Sequence, residues 1–128
     1  MNLLLDTHAI LWALADDQTK LTERALTEIL SPSNQIFVSL ASAWELAIKI
    51  SNGKLQFEDG AENFVNQIEN NGFLLLPIAR DHIIRVESLP FHHRDPFDRL
   101  LIATALHEGM AIITADKNIH AYDVPCIW

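Results

Sequence analysis

Four carboxylates stand at the ends or edges of apolar runs: Asp6, Glu45, Asp98 and Asp116. Asp6 closes the strand-like run Leu3-Leu4-Leu5, and Asp116 follows Ala111-Ile112-Ile113-Thr114. Glu45 and Asp98 fall on helical patterns, one at the margin of an apolar face and the other in a first turn. Acids placed this way can converge on one crevice. Gathered carboxylates repel each other unless a cation lies between them, and Mg²⁺ or Mn²⁺ takes such oxygen ligands. The chemistry this set could support is metal-assisted hydrolysis of a phosphodiester. One ion would polarise a phosphoryl oxygen and lower the pKa of a bound water; a second, roughly 4 Å away, would stabilise the leaving oxygen. No Ser, Cys or His nucleophile is then required.

Each acid also has an ordinary reading. Asp6 and Asp116, between strand and helix, are good N-caps. Glu45 can pair with Lys49 on a solvated helix face, and Asp98 can complement a helix dipole. The joint pattern is what points to a metal cage.

The elements that must position these residues alternate between strand and helix, the signature of βαβ units and a parallel sheet. A strand is predicted over 2–5 and a helix over 7–14, with Ile10, Leu11 and Leu14 on one face. A helix over 22–30, capped by Thr22, carries Leu21, Ala25, Leu26, Ile29 and Leu30 at helical spacing. Ser31-Pro32-Ser33-Asn34 breaks the chain before a strand over 35–39. The next helix, over 40–51, is expected to bury Ala43, Trp44, Ala47 and Ile48, with Ser42, Glu45 and Lys49 beside that stripe. A helix near 60–71 turns Phe64, Val65 and Ile68 inward. A strand over 73–76 stops at Pro77, and a helix over 79–88 ends at Leu89-Pro90.

Asp95 caps a strong helix with Pro96 in its first position. Leu101, Ile102, Ala105 and Leu106 form the stripe of that helix, Asp98 extends it toward the helix start, and Gly109 ends it. A strand over 111–113, a short helix after Asp116 and a last short strand over 125–127 complete the chain. In a parallel sheet, ligands bind beyond the carboxyl ends of the strands, where Asp6 and Asp116 are expected.

The chain has 128 residues, which fits one domain spanning 1–128 with a real core. Apolar residues make up 49% and charged residues 20%, a globular composition. The single cysteine, Cys126, excludes an intrachain disulfide and permits a reducing interior. There is no signal-peptide pattern and no apolar run near the roughly 20 residues that span a bilayer, so a soluble, cytoplasmic protein is expected. A net charge of −8 argues against nucleic-acid binding by a simple basic surface. That objection weakens where acids are metal ligands, because bound cations cancel local negative charge.

The residues also carry a family resemblance. The pieces are Leu3-Leu4-Leu5-Asp6-Thr7-His8, Ser39 through Ser42 to Trp44-Glu45-Leu46, Asp95-Pro96-Phe97-Asp98-Arg99-Leu100-Leu101-Ile102-Ala103, and Ile113-Thr114-Ala115-Asp116. In this order they resemble the PIN-domain ribonucleases of the VapC toxin type. Trp44-Glu45, Gly53-Lys54-Leu55 and the Asp-Pro-Phe-Asp-Arg segment are similar to one bacterial subgroup in particular.

The resemblance implies a three-layer α/β/α sandwich around a mainly parallel sheet of four to five strands. It implies an endoribonuclease using one or two Mg²⁺ or Mn²⁺ ions, with Asp6, Glu45, Asp98 and Asp116 as the catalytic and metal-binding acids. Thr7 and Thr114 match polar positions found near the metal. An RNA substrate, a small antitoxin that occludes the site and a homodimer are implied as well.

Around this set, Ser42 and His8 are expected beside the metal or at the substrate. Lys49 and Arg99 are candidates for phosphate, which suits Arg geometry, or for pairing with an acid. For Asp95 a capping role is sufficient. His92-His93 resembles a zinc motif only superficially, since no cysteine pair or spaced His-Glu motif accompanies it. His82, His107 and His120 are expected at the surface or partly buried, and Trp12, Trp44 and Trp128 as packing anchors. Two rivals remain: a structure-specific DNA nuclease and a non-catalytic protein-binding module with degenerate acids. An aspartyl-nucleophile phosphatase is disfavoured because Asp6-Thr7-His8 lacks a second acid two residues on.

Overall fold

The computed structural model describes residues 1–15 and 19–128. Along the chain the described elements are β1 (Asn2–Leu5), α1 (Thr7–Leu14), α2 (Glu23–Leu30), β2 (Gln35–Ser39), α3 (Leu40–Ser51) and α4 (Gly60–Asn70). They continue with β3 (Leu74–Leu76), α5 (Arg80–Val86), α6 (Pro96–Glu108), β4 (Ala111–Ile113), α7 (Lys117–His120) and β5 (Cys126–Ile127). The strands form one sheet in the order β3-β2-β1-β4-β5, and every pairing is parallel.

Why Leu3-Leu4-Leu5 is uninterrupted follows from this arrangement. A central strand of a parallel sheet is covered on both faces, so alternate residues enter different layers. Leu3 and Leu5 pack with Ala9 and Ile10 of α1, Ala25 and Ile29 of α2, Leu46 of α3, and Phe64 and Ile68 of α4. Leu4 packs on the other side with Leu101, Ile102 and Ala105 of α6 and Ile119 of α7. The expected α/β/α sandwich is therefore present, with an all-parallel five-stranded sheet.

Side-chain caps that satisfy orphan N–H groups fix the starts of α1, α2, α3, α6 and α7. Asp6 Oδ1 accepts from the Ala9 N–H at 2.7 Å, and Thr22 Oγ1 accepts from the Ala25 N–H at 3.0 Å. Asp95 Oδ1 accepts from the N–H groups of Phe97 and Asp98 at 2.9 and 3.0 Å, just before Pro96. α6 ends at Gly109, whose φ of 70° is left-handed and suits a residue without a Cβ.

The predicted stripe of α3 needs correction. Its buried face is Ala41, Ser42, Glu45 and Leu46. Trp44 is 57% exposed and Ile48 38% exposed. α3 begins where β2 ends, so its inner face borders the end of the sheet as well as the core. Trp44 turns outward and meets Phe97 of α6 edge-on, with ring centroids 5.1 Å apart. It is thus no interior anchor, whereas half-buried Trp12 and Trp128 lie 5.7 Å apart against the core. Leu30, expected on the α2 stripe, is exposed at the helix end. Among the described residues, no helix is long and apolar enough to cross a membrane.

Candidate metal centre

β1 leads to β2 on one side and pairs with β4 on the other, so the strand order reverses between β1 and β4. Crevices form beyond the carboxyl ends of strands at such a point. Asp6 follows β1, and Thr114, Ala115 and Asp116 follow β4. The hydroxyl of Thr114 donates to Asp6 Oδ2 and accepts from the Asp116 N–H at 3.0 Å. Asp116 in turn caps α7, accepting from the Asn118 N–H at 2.9 Å. His120 Nε2 lies 2.9 Å from the Thr114 carbonyl oxygen and braces the same turn.

Glu45 reaches this place from α3. Thr7 Oγ1, in the first position of α1, lies 2.8 Å from Glu45 Oε1 and 3.0 Å from Ser42 Oγ. A carboxylate can only accept, so the single Thr7 proton goes to Glu45 and the Ser42 contact takes the serine's proton. Glu45 Oε2 pairs with Lys49 Nζ at 2.9 Å, one helical turn on. Asp98 enters from the first turn of α6, with Oδ2 2.9 Å from His93 Nε2.

These side chains line one crevice of 190 Å³: Asp6, Thr7, Glu45, Lys49, Asp98 and Asp116, joined by His8, His93 and Asp95. All four acids singled out in the sequence are brought together. Lys49 and the exposed His8 lie at the same crevice. Thr114 and Ser42 act from behind, one holding Asp6 and the other meeting Thr7. Asp95 is a helix cap that also borders the crevice.

Arg99 does not belong there. It is 5% exposed, and its guanidinium donates to the carbonyls of Pro90 (2.9 Å), Val86 (3.2 Å) and Leu89 (3.3 Å) and to the Tyr122 hydroxyl (3.0 Å). The phosphate or acid-pairing role expected for it is replaced by bracing of the segment before α6. Neighbouring helical residues point about 100° apart, so Asp98 and Arg99 cannot share one face. His82, expected at or near the surface, is instead fully buried, with Nε2 2.8 Å from Glu108 Oε1.

His93 is the residue at the crevice that sequence reasoning missed. It lies in the loop before the α6 cap, and no helical or strand period ties it to Asp98. One atom from each of His93, Asp98 and Asp116 falls within 4.8 Å of the others.

The electrostatics are those of crowded acids. Burial, the largest cause, lifts the Asp6 carboxyl above its ordinary value. The Thr114 and Ala9 hydrogen bonds and His8 pull against it, while Asp116 adds to the rise. The Asp98 carboxyl is pushed up to about 6, first by burial and then by Asp95, Glu45 and Asp116; its bond to His93 opposes the rise. A cation seated among these groups would relieve both effects. A lining dominated by carboxylate oxygens, with no thiolate, fits a hard divalent ion such as Mg²⁺ or Mn²⁺.

Ribonuclease VapC22 of Mycobacterium tuberculosis is 24% identical over 125 residues, covering 95% of this chain and 92% of its own. Two solved structures share the fold closely. VapBC2 from Rickettsia felis, bound to a DNA fragment from its promoter, gives a TM-score of 0.70 at 14% identity, covering 98% of this chain and 97% of that one. FitAcB from Neisseria gonorrhoeae gives 0.64 at 18% identity, covering 97% and 95%. Residues 3–125 match the family described as PIN domain, a span that holds all four acids, and the chain belongs to that family.

Proposed function

We infer that this protein is a metal-dependent endoribonuclease, the toxin of a toxin–antitoxin pair. The observation that carries this reading is the meeting of Asp6, Glu45, Asp98 and Asp116, from four separate segments, in one crevice at the carboxyl end of the sheet. Those residues would hold one or two Mg²⁺ or Mn²⁺ ions, which supply Lewis-acid activation of a phosphoryl oxygen and of the attacking water.

The chain's own groups do the positioning. Thr7 fixes one oxygen of Glu45 and Lys49 the other, leaving that carboxylate few orientations. Thr114 and the Ala9 N–H fix the two oxygens of Asp6. Lys49, whose side chain is partly exposed, and exposed His8 offer donors to a substrate phosphate at the crevice.

Support for RNA as the substrate comes from the ribonuclease name of the Mycobacterium tuberculosis relative. Support for an antitoxin comes from similar folds solved as VapBC2 and as a toxin-antitoxin complex from Klebsiella pneumoniae. The reading includes a single domain acting in the cytoplasm as a homodimer, its crevice occluded by the antitoxin until that partner is lost.

The test is incubation of purified protein with a mixed RNA pool and sequence-matched DNA oligonucleotides, in Mg²⁺ or Mn²⁺ and in EDTA. RNA should be cut and DNA spared, with EDTA abolishing cleavage. Cleavage that survives EDTA would overturn the metal mechanism. Preferential DNA cutting would make the protein a DNA nuclease. No cleavage even at high protein concentration, with a tight protein partner retained, would make it a binding module.

A further inference from the structure

We propose that His93 is a nitrogen ligand of the metal centre, sharing one ion with Asp98 and Asp116. This rests on the reading of the acidic crevice as a metal site and adds a residue that the four-acid set does not contain.

The three donor groups stand close enough to be gathered on one ion. Adjacent ligands of an octahedral ion at about 2.1 Å stand about 3 Å apart, and opposite ligands about 4.2 Å. His93 Nε2 and Asp98 Oδ2 are 2.9 Å apart, which matches one edge of such an octahedron. The three donor atoms, one each from His93, Asp98 and Asp116, all lie within 4.8 Å of one another. The same imidazole thus borders two acids of the crevice rather than Asp98 alone.

The loop bearing His93 is built to hold it. Residues 87–95 contain no helix or strand, yet buried Arg99 gathers the carbonyls of Val86, Leu89 and Pro90. Tyr122, also buried, accepts from the His93 N–H at 3.1 Å and from Arg99 at 3.0 Å. A buried guanidinium and a buried phenol thus set the backbone at His93 itself. The side chain is 21% exposed and borders the crevice. To bind, Nε2 must carry no proton, so ligation leaves the ring proton on Nδ1 and replaces the contact with Asp98 by a shared ion.

A nitrogen ligand changes which ions are favoured. Imidazole suits the later first-row metals, whereas Mg²⁺ prefers oxygen. Removing it should weaken Co²⁺ more than Mg²⁺.

Pulsed electron paramagnetic resonance on Mn²⁺-loaded protein tests the proposal directly. The wild type should show ¹⁴N modulation from a coordinated imidazole. His93→Gln should lose it, with Mn²⁺ and Co²⁺ affinity reduced on the order of tenfold or more. His8→Gln, at the other histidine of the crevice, should keep it. Bound Mn²⁺ without ¹⁴N modulation, or modulation unchanged in His93→Gln, overturns the proposal and leaves the acidic site standing. If the wild type binds no Mn²⁺, the acidic site falls and the proposal with it. Should His93→Gln not fold, the other two spectra decide: modulation retained in His8→Gln supports His93, and its loss there overturns it.

Discussion

The Thr114 hydroxyl donates to Asp6 Oδ2, joining residues 108 apart in sequence at the ends of β1 and β4. Thr114 is fully buried and Asp6 nearly so. The bond therefore holds a carboxylate in place where water cannot. Thr114→Val keeps the shape and removes the donor. It should lower stability by about 1–3 kcal/mol, the range for a buried polar group left unpaired. It should also raise the Asp6 pKa further, because the lost bond favours the charged form. Denaturant unfolding in EDTA and divalent-ion titration at neutral pH check this, and unchanged values in both would refute the anchoring role.

Arg99→Lys should be strongly destabilising despite keeping the charge. A planar fork reaches four carbonyls, those of Val86, Leu89, Pro90 and His93, and a phenol, whereas an ammonium cannot satisfy that spread of acceptors. A loss of about 2–4 kcal/mol is expected from unmade charged hydrogen bonds. Equilibrium unfolding of the variant measures it; near wild-type stability would contradict the bracing role.

Acid crowding makes the metal-free protein sensitive to pH. The folded Asp98 carboxyl sits at about 6 against an ordinary 3.8, so the folded state holds its proton more tightly than the unfolded chain. That stabilising contribution is complete below about pH 4 and is lost as pH rises through 6. Asp6, also raised, acts in the same direction. In EDTA the melting temperature should fall between pH 5 and pH 7, and Asp98→Asn should fall less. Saturating Mg²⁺ should restore stability mainly at pH 7, where protons no longer compete for the ligands. A flat wild-type profile in EDTA would disprove the crowding argument.

Asp95 both caps α6 and borders the crevice, and the cap is its larger role. Asp95→Ala should cost about 1 kcal/mol, with cleavage retained. Lost activity at normal stability would instead place it among the metal ligands.

The element order was legible because the apolar runs and helical stripes, though several are short, are well punctuated by caps and breakers. Leu3-Leu4-Leu5 reads as a doubly covered strand, and Asp95-Pro96 through Gly109 reads as a capped and terminated helix. The inward face of α3 was not legible. Counting apolar residues favours Trp44 and Ile48, but that helix turns Ser42 and Glu45 inward to serve the crevice. Arg99 was misplaced for lack of one available constraint, the angle between neighbouring helical residues. His93 had no such signal. Its position depends on a loop braced by Arg99 and Tyr122, contacts that arise only in three dimensions.

The central claim is that Asp6, Glu45, Asp98 and Asp116 together bind divalent cations. Calorimetric titration of Mn²⁺ into wild type and into Asp6→Asn, Glu45→Gln, Asp98→Asn and Asp116→Asn, each first verified as folded, measures it most directly. Saturable wild-type binding, weakened at least about tenfold in Asp6→Asn and Asp98→Asn, is the predicted result. Wild-type protein that takes up no ion, or variants that bind as tightly as wild type, would contradict it.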